Sequence, residues 1–169
     1  MPAFIALLRA VNVGGTGKLP MSELIDMAKA AGFTQPRTYI ASGNLVFDSP
    51  LAEAQVKATL ERSLASYAGK PVSVMVRTAE EMAAVLAANP FPGRAPNHTV
   101  VVFLDGPTPK DWREGLEAPD GEEAAAGTRE LYIHYGSGMA RSRFKLPAAA
   151  GGTARNINTV TRLAAMAGE

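Results

Sequence analysis

An apolar run from Ala3 to Leu8 gives way to Arg9-Ala10-Val11-Asn12-Val13-Gly14-Gly15-Thr16-Gly17-Lys18. Glycines free a backbone for positive φ and for close approach to a ligand, and Arg9 and Lys18 bring the cations that a phosphate or carboxylate needs. Asn12 adds a side-chain amide at the strand end, and Gly14 and Gly15 offer backbone N–H groups. The pattern is that of an anion-binding loop, against the plainer reading of a connector whose cations face water. It departs from the nucleotide motifs. A Walker A loop ending at Gly17-Lys18 would need glycine at Asn12 and a hydroxyl at Leu19, and Pro20 takes the last glycine of a dinucleotide fingerprint.

Three further stretches could contribute. Ser42-Gly43-Asn44 has the chemistry of a tight hairpin turn, and it also presents two polar side chains that could reach the first loop. Arg155-Asn156-Ile157-Asn158 precedes a helical pattern, so that Asn156 or Asn158 would cap a helix whose free N–H groups, beside Arg155, suit an anion. Gly136 to Arg143 joins two glycines and two hydroxyl side chains to Arg141 and Arg143. No Asp or Glu falls between Leu131 and Gly168, where Arg141, Arg143, Lys145, Arg155 and Arg162 all lie, so this segment is a candidate contact for nucleic acid.

Catalytic signals are sparse. The chain has no cysteine, which removes thiol chemistry, disulfides and thiolate metal sites. His98 and His134 have no partner motif, no H-x-x-x-H or carboxylate cluster marks a metal site, and no G-x-S-x-G marks a serine hydrolase. No catalytic residue, metal or cofactor is assigned. The first strand resembles that of RNA-recognition domains, but Asn44-Leu45-Val46-Phe47 lacks the spaced aromatics that stack bases.

The elements that must position these groups follow from periodicity and punctuation. Residues 3–8 read as a central strand buried on both faces. Pro20 opens a helix through Met21, Leu24, Ile25 and Ala28, closed by Gly32. Thr38 to Ala41 and Asn44 to Asp48 read as strands about Ser42-Gly43. Ser49-Pro50 starts a second helix that ends at Gly69, and Val72, Val74 and Val76 alternate as a fourth strand. The order is β-α-β-β-α-β, a ferredoxin-like lobe over residues 1–77. Thr78 and Glu81 form a capping box for a third helix. Beyond the Pro-rich segment Asn89 to Asn97 come a strand at Thr99 to Leu104, a helix opened by Thr108-Pro109, a hairpin turning at Gly127-Thr128, and a final helix. Residues 78–169 are expected to form a second, smaller α/β lobe ending in a basic helix. The whole is an α+β protein of two lobes in one compact domain.

With 169 residues, 47% hydrophobic and 20% charged, the chain can bury a substantial core. Its formal net charge of +1 gives no bulk attraction to nucleic acid or to an anionic membrane. The apolar start lacks a basic flank and meets Arg9 too soon for a signal or a membrane span, so a cytoplasmic protein is expected.

Three blocks, Arg9-Ala10-Val11-Asn12-Val13-Gly14-Gly15, Thr38 to Phe47 and Arg155-Asn156-Ile157-Asn158-Thr159-Val160, together resemble the bacterial domain of unknown function 1697 family. Ala10 stands where that family often has glycine, and Ile157 where it often has tryptophan. The resemblance implies a compact two-lobed α/β protein of ferredoxin-like character, and it brings no activity with it.

The leading expectation is a protein that binds a small phosphorylated or carboxylated anion. Arg9, Lys18 and Arg155 would neutralise it, and Asn12, Ser42, Asn44 and Asn156 would orient it beside the N–H groups of Gly14 and Gly15. Two alternatives stand beside it. One is a nucleic-acid binder that uses Arg141, Arg143, Lys145 and Arg162; the other is an enzyme acting on a nucleotide or phosphoester.

Overall fold

The computed structural model describes residues 1–12, 18–136 and 142–168. They divide into two compact units, Met1–Ala83 with Leu163–Glu169, and Ala84–Arg162.

In the first unit, β1 (Ala3–Leu8), β2 (Thr34–Thr38), β3 (Asn44–Asp48) and β4 (Val74–Thr78) form an antiparallel sheet in the order β2-β3-β1-β4. Helices α1 (Met21–Ala30) and α2 (Glu53–Ala68) complete the β-α-β-β-α-β order of a ferredoxin-like fold. Side chains alternate across a strand, so Phe4, Ala6 and Leu8 join Leu45, Phe47, Val74 and Val76 on one face, against Leu24 and Ala28 of α1 and Val56, Leu60 and Leu64 of α2. Ile5, Leu7, Val46 and Met75 alternate with them and are buried too, which explains the unbroken apolar run of β1.

The boundaries follow local chemistry. α2 begins at Glu53 and not at Ser49-Pro50, because the Ser49 hydroxyl accepts from the Leu51 N–H at 3.1 Å and closes a separate turn. The helix stops at Gly69, which takes φ +71°. Thr78 Oγ1 accepts from the Glu81 N–H at 3.1 Å while Glu81 Oε1 accepts from the Thr78 N–H at 2.9 Å, the reciprocal box that starts α3 (Ala79–Ala87). β2 lies at Thr34–Thr38, earlier than its sequence pattern indicated, because Ile40 at φ +51° and Gly43 at φ +90° give residues 39–43 to the turn.

The second unit repeats the plan with fewer helices. Strands β5 (Thr99–Phe103), β6 (Glu123–Ala126), β7 (Glu130–His134) and β8 (Thr153–Asn156) form an antiparallel sheet in the order β6-β7-β5-β8. Helix α4 (Ile157–Ala167) follows. The helix expected after Thr108-Pro109 is instead a series of turns, with the Trp112, Glu114 and Leu116 N–H groups each bonded three residues back. The last of them, closed at Leu116, contains Gly115, whose φ is +77°. β8 carries no apolar alternation and exists by pairing with β5.

The registers expose a duplication that the sequence does not display. Arg77 lies opposite Ile5 and Arg155 opposite Val101. Each guanidinium Nη1 donates to the carbonyl just before it, Val76 O or Ala154 O, at 2.9 Å. Each arginine is followed by a residue that caps the next helix, Thr78 for α3 and Asn156 for α4.

Candidate functional site

Asn12 organises the first unit's loop cluster. Its Oδ1 accepts from the Leu19 N–H at 2.6 Å, and its Nδ2 donates to Leu19 O at 2.9 Å and to Ala41 O at 2.7 Å. One side chain therefore closes the base of the Gly-rich loop and ties it to the Ser42 turn. Gly43 completes the join: its carbonyl accepts from the Leu8 N–H at 2.9 Å, and a Cβ there would stand 2.6 Å from Val11 Cγ2. Only glycine meets both the positive φ and the close approach. Asn44 is buried and donates to Tyr39 O at 2.9 Å and Ser42 Oγ at 3.0 Å, so its amide shapes the turn.

Among the described residues, three of the four non-glycine residues at positive φ, Ala10, Asn12 and Ile40, fall in this cluster. Asparagine tolerates that conformation, but a β-branched isoleucine there is an outlier, and Ile40 is also 51% exposed. Such strain persists where surrounding contacts over-determine the backbone, and it concentrates at functional sites.

Beside the cluster is a cleft of about 220 Å³. Ala10, Val11, Lys18 and Leu19 line it from the loop side. Leu64, Tyr67 and Ala68 line it from the end of α2, with Lys70 and Val72 just beyond. Val11, Leu19 and Leu64 are buried in the main core and make its floor apolar. Lys18 and Lys70 are exposed, and neither is paired with an acid among the described residues. Tyr67 is 47% exposed.

The wall made by α2 is fixed in place. Glu61 Oε2 accepts from the Val74 N–H at 2.9 Å and from Lys57 Nζ at 2.7 Å, and Lys57 Nζ donates to Val74 O at 2.7 Å. Two side chains of α2 thus satisfy both backbone groups of one residue on edge strand β4.

The remaining sequence candidates have these positions. Arg9 is exposed, with its N–H bonded to Ser73 O at 2.9 Å. Gly14, Gly15 and Arg141 lie outside the described residues. Arg155 and Asn156 belong to the second unit. Arg155 is buried and donates to Thr153 Oγ1 at 2.7 Å, and burial pulls its guanidinium down to about 10. Asn156 Oδ1 accepts from the Thr159 N–H at 2.9 Å as a helix cap. Arg143 pairs with Asp120 at 3.0 Å, and the hydrogen bond from Arg143 holds that carboxyl below its usual value. Lys145 is exposed, on a segment bonded through the backbone to Glu117, and Arg162 is exposed on α4.

The histidine reading is clearer. His134 Nδ1 is 2.9 Å from Thr99 Oγ1, and its ring lies 5.8 Å from that of Phe91. Burial, then Arg94, lowers its pKa, and Glu123 opposes them. Tyr132 donates to Val85 O at 2.7 Å, and burial pushes its phenol up to about 12.

Sequence reasoning found Lys18 but missed Lys70 and Tyr67. The available signal was Tyr67-Ala68-Gly69-Lys70 at the close of α2, which reads more simply as a helix end with a favourable cation. Among the described residues no group of three His, Asp or Glu side chains could hold a metal, and no helix is long and apolar enough to cross a membrane.

A ferredoxin-like unit with a cation-flanked cleft beside a strained loop defines an α+β protein of two such sheets. The chain belongs to the family described as Protein of unknown function (DUF1697), whose model matches residues 1–132. That match takes in the loop, the Ser42 turn and the cleft, and it ends before Arg155. A solved structure titled as that of the conserved bacterial protein SP0830 from Streptococcus pneumoniae is similar, at 26% identity, a TM-score of 0.82 and 98% coverage of both chains. No curated protein matches the chain.

Proposed function

We propose that the protein binds a small phosphorylated or carboxylated anion in the cleft of its first unit, with Lys18 and Lys70 supplying the counter-charge. The observation that carries this reading is that two lysines, each without an acidic partner among the described residues, line one apolar-floored cleft. An anion held there accepts charge-assisted hydrogen bonds, which are stronger than neutral ones. Asn12, Ser42 and Asn44 act by positioning: they hold the loop whose far end is Lys18. The strain at Ala10, Asn12 and Ile40, about 1–3 kcal/mol for each such residue, accords with a loop kept in shape for binding.

Isothermal titration with inorganic phosphate and with acetate tests the reading. Lys18→Ala and Lys70→Ala should each weaken binding by about 1.5–3 kcal/mol, the range for hydrogen bonds to charged groups, with little change in stability because both side chains are exposed. Absence of binding by the wild type, or unchanged affinity in both variants, would overturn it.

A further inference from the structure

The cleft's shape says more than its charge. Resting on the reading above, we propose that its ligand is a phosphate monoester carried on a single planar ring, with Tyr67 as the residue that selects the ring. Two observations lead there. The floor of Val11, Leu19 and Leu64 offers no hydrogen-bonding side chain, so a ligand filling the cleft must present an apolar body to it. Tyr67, 47% exposed, lines the same space with an aromatic ring at the fixed end of α2, and aromatic side chains favour stacked or edge contacts with another ring.

Size and charge narrow the class. A cavity of about 150 Å³ suffices for benzene, so the 220 Å³ here has room for one ring with an attached anionic group. Lys18 and Lys70 together carry two positive charges. A phosphate monoester, whose second pKa is about 6, carries nearly two negative charges at neutral pH, whereas a carboxylate carries one.

The test compares phenyl phosphate, inorganic phosphate, benzoate and adenosine monophosphate by titration on the full chain at pH 7.5. Phenyl phosphate should bind about tenfold or more tightly than inorganic phosphate, through ring burial, and more tightly than benzoate, through charge. Tyr67→Ala should abolish the advantage of phenyl over inorganic phosphate while leaving inorganic phosphate within about twofold, and Tyr67→Phe should restore it. Lys18→Ala should weaken both phosphates together. Equal affinity for phenyl and inorganic phosphate, or a nucleotide bound as tightly as phenyl phosphate, would overturn the ring assignment and leave the anion site standing. Binding of none of the four would overturn both.

Discussion

Asn12 and Gly43 show how single residues set the site without touching a ligand. Asn12 spends its amide on Leu19 and Ala41, so Asn12→Ala should release the loop that ends in Lys18. We expect a stability loss of about 2–3 kcal/mol for the missing hydrogen bonds, read by urea unfolding, together with weaker phosphate binding. A variant that lost stability but bound phosphate with wild-type affinity would show that the loop does not position the anion site. Gly43→Ala places a Cβ 2.6 Å from Val11 at φ +90°, and it should cost about 2–4 kcal/mol from overpacking and backbone strain together. His134 gives a pH dependence. Its folded pKa lies below the ordinary 6.5, through burial first and then Arg94, so its contribution is intact above pH 6.5 and is lost as pH falls through the folded value. The thermal midpoint should fall more between pH 7 and pH 5 in the wild type than in His134→Gln. Equal falls would show that another group governs the acid side.

Among the elements, α2 decides whether the cleft exists. Its last turn carries Leu64, Tyr67 and Ala68 to the cleft wall, and Lys57 and Glu61 bind the helix to Val74 of the edge strand. Glu61→Ala leaves the Val74 N–H without its carboxylate partner. It should cost about 1–3 kcal/mol and raise hydrogen exchange at Val74 more than at Met75, which lies opposite Leu7 and points its N–H to the other side of the strand, towards β1. Uniform exchange at both amides would argue against the clamp. These elements were legible in the sequence wherever a local rule dominates. Gly69 ended α2, Thr78 and Glu81 started α3, and the run from Phe4 to Leu8 was a strand buried on both faces. The rest depended on distant partners. Thr153 to Asn156 has no alternation and becomes β8 only against β5, and the segment after Pro109 lacks the continuous bonding of a helix. The site divides in the same way. Lys18 was visible beside its glycines, but Lys70 and Tyr67 gain meaning only when the end of α2 meets the loop base.

For the whole molecule, two sheets of one strand order carry matching buried arginines, yet the cleft belongs to one of them. Its wall is the end of α2, and among the described residues the second unit has no α-helix between β7 and β8 to build a counterpart. The basic tail is also partly committed: Arg143 is paired with Asp120, and Arg155 is buried. A small anion in the cleft should therefore show a shallow salt dependence, unlike a nucleic-acid groove, where affinity falls by nearly one power of salt concentration for each phosphate contacted. Backbone amide NMR during a titration with inorganic phosphate tests the central claim. The anion site predicts saturable shifts at Val11, Leu19, Ala68 and Lys70 in the wild type, lost in the Lys18→Ala and Lys70→Ala double variant. Shifts centred on Arg143, Lys145 and Arg162, or none at all, would contradict it.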